Sequence, residues 1–320
     1  MNGAERTPER GAGLELSRRY YEEYGVGLLG TFPGIRDYIA AGLAGSGSEC
    51  FGYDDPVSRD HDFEPGFVLF LPSEGSGLVG RREAFLLERA YDALPKEFGG
   101  VKRGRMTPVG GRRRGPIRTE DFFRAKCGSP DGRLEAREWL SVPEHALAEA
   151  VNGEIFSDPF GEVTEIRRRL AFWPEDIRRK KLAGQLLLMK QAGLYNYPRI
   201  LLHDDPAAAQ LAVYEFTRAA MGAVFLLNRR YRPFYKWQFR ALRELPSLGE
   251  LADTFEYLLS TGNGPSDAET KRAVIGDASA LILRTIRPDF AGTDPEEAAY
   301  AVNAEIEDPE IRTLHILAGV

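Results

Sequence analysis

Apolar residues recur at helical spacing through Leu16, Tyr20 and Tyr24, which predicts an amphipathic helix that Gly25 and Gly27 end. Residues 35–43 then lead into a glycine-serine turn. Residues 60–71 read as one long strand through Phe67-Val68-Leu69-Phe70-Leu71, stopped by Pro72, and residues 80–98 as a helix with Phe85, Leu86, Leu87, Ala90, Tyr91 and Leu94 on its apolar face. Thr119, backed by Glu120 and Asp121, is set as the N-cap of a short helix through Phe122, Phe123 and Lys126 that Gly128 closes. From Glu162 the pattern becomes predominantly helical. Trp173-Pro174 separates two helices. Residues 206–228 form a helix whose apolar positions nearly encircle its C-terminal end, which suggests burial in a bundle, and residues 253–259 and 269–285 add two more.

Length and composition sharpen this outline. The chain has 320 residues, 43% of them hydrophobic, enough for two domains. Residues 1–13 lack periodicity and read as a disordered start, 14–171 as one α+β domain, and 172–320 as a helical bundle. No apolar run approaches the ~20 residues of a membrane helix, and the polar N-terminus is unlike a signal peptide, so the cytoplasm is the expected compartment and no membrane the expected partner. Cys50 and Cys127 fit neither a disulfide framework nor a zinc spacing, and are expected to be reduced and structural. His61, His145, His203 and His315 share no ligand spacing. A net charge of −6 gives no strong nucleic-acid signature. Between Phe98 and Thr119, however, stand seven basic side chains and no acid, a stretch suited either to a phosphorylated substrate, RNA or triphosphate, or to a solvated mobile loop.

Candidate chemistry concentrates in Gly45-Ser46-Gly47-Ser48-Glu49-Cys50-Phe51-Gly52, followed by Ser58-Arg59-Asp60-His61-Asp62-Phe63. On a strand, the period of two turns Asp60 and Asp62 to one side and His61 to the other. Two convergent carboxylates share divalent metal ions, and a glycine-serine turn offers N–H groups and a hydroxyl to phosphates. Taken alone, the two aspartates read more often as a solvated strand edge than as a metal site, and the glycine-serine turn upstream reverses that order.

In order and spacing, Gly47, Ser48, Gly52, Asp60 and Asp62 resemble the motif of the nucleotidyltransferase superfamily. Together with Tyr231-Arg232-Pro233-Phe234-Tyr235-Lys236-Trp237, the wider text is similar to a bacterial branch known as domain of unknown function 4037, over roughly residues 15–260. That resemblance implies a nucleotidyltransferase-like small mixed sheet with helices, then a helical bundle. It also implies Mg²⁺ or Mn²⁺ on Asp60 and Asp62, a nucleoside triphosphate on Gly47 and Ser48, and a helical domain that brings Lys236 to the phosphates. The acceptor, a small molecule, RNA or protein, stays open. Superfamily members carry a third carboxylate on a later strand, where this chain reads Arg114-Gly115-Pro116-Ile117-Arg118. Glu138 is the substitute, beside the apolar Trp139 and Leu140, with Glu120, Glu154 and Asp158 as rivals. The expected reaction moves an NMP to the acceptor and releases pyrophosphate. The alternatives are a nucleotide-sensing protein of the same fold that no longer turns over, which the missing acid favours, and metal-dependent phosphohydrolysis.

Overall fold

A computed structural model describes residues 11–55, 64–103 and 113–320. In chain order the elements are α1 (Ala12–Tyr20), α2 (Val26–Gly30), β1 (Ala40–Leu43), β2 (Val68–Leu71), α3 (Arg81–Asp92), β3 (Glu97–Phe98), β4 (Val101–Lys102), β5 (Gly115–Arg118), α4 (Thr119–Cys127), α5 (Ala136–Ser141), α6 (Glu144–Val151), β6 (Glu154–Ser157) and α7 (Glu162–Arg169). The remainder is helical: α8 (Glu175–Met189), α9 (Tyr197–Leu201), α10 (Pro206–Leu227), α11 (Gln238–Arg243), α12 (Leu251–Ser260), α13 (Pro265–Ile286), α14 (Pro295–Ala304) and α15 (Pro309–Thr313). The class is therefore α+β, a small mixed sheet followed by a helical C-terminal region. Among the described residues, no helix is long and apolar enough to cross a membrane. Contacts divide the chain into two units, Met1–Arg133 with Ala146–Ala171, and Leu134–His145 with Phe172–Val320.

The first unit is built on a four-stranded sheet in the order β5-β2-β1-β6. β1 runs antiparallel to both β2 and β6, whereas β2 and β5 are parallel, with Val68 opposite Gly115. Every residue of β1 and β2 is buried, so both sheet faces are covered and the strands carry continuous apolar runs. Ala41, Leu69 and Leu71 share a core with Tyr20, Tyr21, Leu28 and Leu29 of the N-terminal helices and with Leu87 and Tyr91 of α3. The alternate positions face the other way, and Phe70 meets the edge of Phe122 on α4 at 5.2 Å.

Several expectations are corrected here. Gly25 does not end the first helix: α1 widens into a π-helical turn over Tyr21–Gly25 and continues through α2. A Cβ on Gly25 would lie 2.4 Å from the Tyr21 ring and 2.7 Å from that of Phe67, so this glycine permits close packing instead of termination. The strand expected over 60–71 is confined, among the described residues, to Val68–Leu71. Pro65 has no N–H for a ladder and Gly66 takes φ 154°, which together keep residues 64–67 out of the sheet. The helix expected over 80–98 stops at Asp92, because Pro95 intervenes and β3 and β4 form a hairpin through Gly99 and Gly100, both at positive φ. Phe85 and Leu86, expected in the core, are exposed, and Thr119 is the first residue of α4, not its N-cap. The basic stretch is ordered at its described ends, in β4 and β5; residues 104–112 lie outside the described set.

In the second unit α8 packs along α10 and α14. α10 is buried all round from Ala219 to Leu226, as its composition predicts, although Leu211 near its start is 67% exposed. Three lysines, Lys180, Lys181 and Lys271, are buried among these helices.

Candidate active site

The turn that follows β1 closes one end of the sheet, where β1 ends and β2 and β5 begin. Gly45 and Gly47 take φ of 110° and 130°, which few residues with side chains adopt. Space imposes the same choice at Gly47, where a Cβ would lie 2.5 Å from Glu49 Oε1.

Three distant elements hold this turn. The Asn152 side chain accepts from Gly45 N–H at 2.9 Å and donates to Gly45 C=O at 2.8 Å, so one amide satisfies both backbone groups. Ser46 Oγ donates to Glu149 Oε2 at 2.8 Å and accepts from Lys126 Nζ at 3.0 Å; Lys126 and Glu149 also form an ion pair. Glu49, almost wholly buried, accepts from Arg114 Nη2 at 2.7 Å, a pairing without which either charge would be costly to bury. Gly153 N–H donates to Cys50 C=O at 2.8 Å, and a Cβ on Gly153 would stand 1.9 Å from Leu43 C=O, so only glycine lets β1 and the segment before β6 approach this closely.

Beside the turn opens a cleft of about 610 Å³. Ala44, Gly45 and Ser46 form one wall. Val68, Pro116, Ile117 and Phe122 supply apolar surface, and Arg113, Arg114 and Lys126 supply positive charge. Among the described residues, no carboxylate lines it. Burial, with the charge of Glu49 nearby, pushes the Cys50 thiol up to about 12, so it is not a nucleophile at neutral pH. Cys127 is likewise buried, and its thiol donates to Phe123 C=O at 3.2 Å.

The residues singled out in the sequence are placed as follows. Asp60 and Asp62, and His61 between them, lie outside the described residues. Gly47 and Ser48 belong to the turn, but the glycine-serine pair facing the cleft is Gly45-Ser46; Ser48 is buried, and its C=O accepts from Phe51 and Tyr53 N–H. Glu138 is exposed at the third position of α5. Its side chain accepts from Glu135 N–H at 2.7 Å in a reciprocal capping box, so it stabilises a helix start. Of its rivals, Glu154 pairs with Arg18, while Asp158 accepts from Gly161 and Thr164 N–H. Lys236 is exposed in the second unit, its Nζ 5.0 Å from the centre of the Trp237 ring, while Arg229 and Arg232 pair with Glu175 and Glu144. β5 offers Gly115, Pro116, Ile117 and Arg118 opposite β2, and no acid. Among the described residues no group of three or more His, Cys, Asp or Glu could hold a metal ion.

Sequence reasoning missed Lys126 as a cleft residue, together with Glu149, Asn152 and the Glu49–Arg114 pair. For Lys126 a signal existed. It is a basic residue in the last turn of the short helix that directly follows β5, where the chain has turned back toward the start of that strand.

Residues 139–238 match the family model described as Domain of unknown function (DUF4037), which supports that family for this chain. The match includes Glu149 and Asn152, which hold the turn, and stops short of the turn itself. No curated protein and no solved structure matches the chain.

Proposed function

We propose that the protein is a metal-dependent nucleotidyltransferase, moving an NMP from a nucleoside triphosphate to an acceptor hydroxyl or phosphate. The observation that carries this reading is the cleft beside a glycine-serine turn, walled by cations and apolar side chains, at the end of the sheet where β2 begins. Asp60 and Asp62 precede β2 by eight and six residues in the sequence. As paired hard oxygen donors they suit Mg²⁺ or Mn²⁺, and in this reading they hold it. When bound, the metal neutralises phosphate charge and lowers the pKa of a coordinated oxygen.

The chain's own residues orient the substrate. Lys126 and Ser46 present N–H and O–H groups to the phosphates, and Phe122, Val68 and Ile117 give an apolar surface that excludes water from the reacting centre. The acceptor oxygen bonds to the α-phosphorus, the bond from that phosphorus to the bridging oxygen breaks, and pyrophosphate leaves. The acceptor's proton passes to solvent. This scheme requires neither Glu138 nor Lys236.

A second reading, nucleotide binding without turnover, is favoured by the absence of an acid on β5. Both predict that Asp60→Asn and Asp62→Asn each abolish the Mg²⁺-dependent part of NTP binding. Removing one of two like charges leaves stability equal or higher. Calorimetric titration of Mg-NTP beside a thermal melt checks this. Binding of Mg-NTP as tight as the parent's in either variant would overturn the metal assignment.

A further inference from the structure

Arg114 and Lys126 both line the cleft, and they are held differently. The guanidinium of Arg114 is 5% exposed and bonded to Glu49, so its charge is committed to the fold. Lys126 is 18% exposed at the side chain. Among the described residues, its N–H groups go only to Ser46 Oγ and Glu149. An ammonium has three donors, which leaves one beyond these two partners on a residue that lines the cleft. The acid that pairs with Lys126 is not itself part of the wall. An anion entering the cleft therefore meets a positive group and a hydroxyl, with the balancing carboxylate set away from the surface it touches.

We propose that Lys126 is the ammonium contact of a wall that binds a polyphosphate chain without a metal ion, with Ser46 as its hydroxyl partner and Glu149 as the residue that positions both. A polyphosphate fits better than a monoanion. Its bridged phosphates carry several negative charges along an extended chain, which can meet Lys126 and Ser46 at one end, and Arg113 also lines the cleft. Lys126 donates its third N–H to a phosphate oxygen. Ser46 Oγ rotates its proton from Glu149 to a second oxygen. Glu149 keeps its ion pair with Lys126 and so fixes the ammonium on the cleft side. In the nucleotidyl-transfer reading, on which the natural ligand depends, that chain is the triphosphate. The wall itself does not require catalysis.

The test is titration of inorganic tripolyphosphate into the full-length protein in EDTA. The parent binds. Lys126→Met weakens binding about tenfold to a hundredfold, the usual consequence of losing a charge-assisted hydrogen bond. Glu149→Gln keeps the side-chain shape and an acceptor oxygen that still positions Ser46 and Lys126, and removes only a negative charge near the phosphates, so it tightens binding severalfold, a direction that a purely structural role for Glu149 would not give. Arg82→Gln, exposed on α3, leaves binding unchanged. The double variant Lys126→Met/Glu149→Gln, which buries no lone charge, guards against a folding defect and still binds weakly. Absence of binding by the parent, parent-like binding by the double variant, or weakened binding by Glu149→Gln would each overturn the proposal. Pyrophosphate release from Mg-NTP, measured on the same preparations, separates the two readings. Tripolyphosphate binding without turnover sinks nucleotidyl transfer and leaves the wall, while turnover without tripolyphosphate binding does the converse.

Discussion

Lysine is used in opposite ways in the two units. In the first, Lys126 stands on a cleft wall, held by a hydroxyl and a carboxylate. In the second, Lys180 donates to Leu314 C=O at 2.7 Å and to Asn303 Oδ1 at 2.9 Å, and Lys181 to Gly319 C=O at 2.6 Å. Lys271 donates to Thr261 C=O at 2.8 Å and to Gln210 Oε1 at 3.1 Å. Carbonyls and amides satisfy a buried ammonium without neutralising it, and burial pulls all three below the usual lysine range, Lys181 to about 8. These lysines staple loops and the C-terminal tail. A carboxylate partner at an open wall, by contrast, balances the charge locally and leaves the lysine able to exchange one partner for another. Partner chemistry and exposure, more than charge, separate the lysines packed among the helices from the one that lines the cleft.

The largest expected effect that would break this comparison is on stability. Lys271→Met removes a fully buried ammonium that holds three groups at once, the Thr261 carbonyl and the amide oxygens of Gln210 and Asn263, and should cost about 2–4 kcal/mol. Lys126→Met acts at a side chain that is 18% exposed and leaves Glu149 still accepting from Ser46 Oγ, so it should cost about 1 kcal/mol. Urea unfolding of both variants checks the contrast. Equal losses would mean that Lys126 is also structural.

A smaller effect sharpens the comparison through pH. Lys181 faces Glu144, whose charge favours the ammonium, and Arg232, whose charge opposes it, and its cation lies 5.2 Å from the centre of the Trp173 ring. Its native form releases its proton near pH 8, whereas the unfolded chain holds one to about 10.5. Between these values the unfolded state binds more protons, so this group makes the fold more stable as pH rises from about 8 to 10.5. The parent should therefore gain about 1–2 kcal/mol relative to Lys181→Met between pH 7.5 and 9.5, read from urea midpoints. No relative gain, or a relative loss, would show that the ammonium is not destabilised by burial.

What the sequence disclosed divides along similar physical lines. The turn after β1, the helix of Phe122 and Phe123 with its closing Gly128, and the buried end of α10 were all legible, because local spacing and conformational preference decide them. The grip on the turn was not. Asn152 and Glu149 reach Gly45 and Ser46 across 107 and 103 residues, and Arg114 reaches Glu49 across 65. Contacts at such separation leave no periodic trace. Gly25 misled for a related reason: a glycine that admits the Tyr21 and Phe67 rings looks, in sequence, like one that ends a helix.

The most direct measurement incubates the protein with each NTP and Mg²⁺ or Mn²⁺, with and without cell extract as a source of acceptor, and follows pyrophosphate. The account predicts release with at least one NTP, its loss in Asp60→Asn, and a fall of about 10²–10³ in Lys126→Met, the usual result of removing one preorganised donor. Tight Mg-NTP binding with no pyrophosphate from any NTP, even with extract present, would contradict nucleotidyl transfer and leave a nucleotide-binding protein.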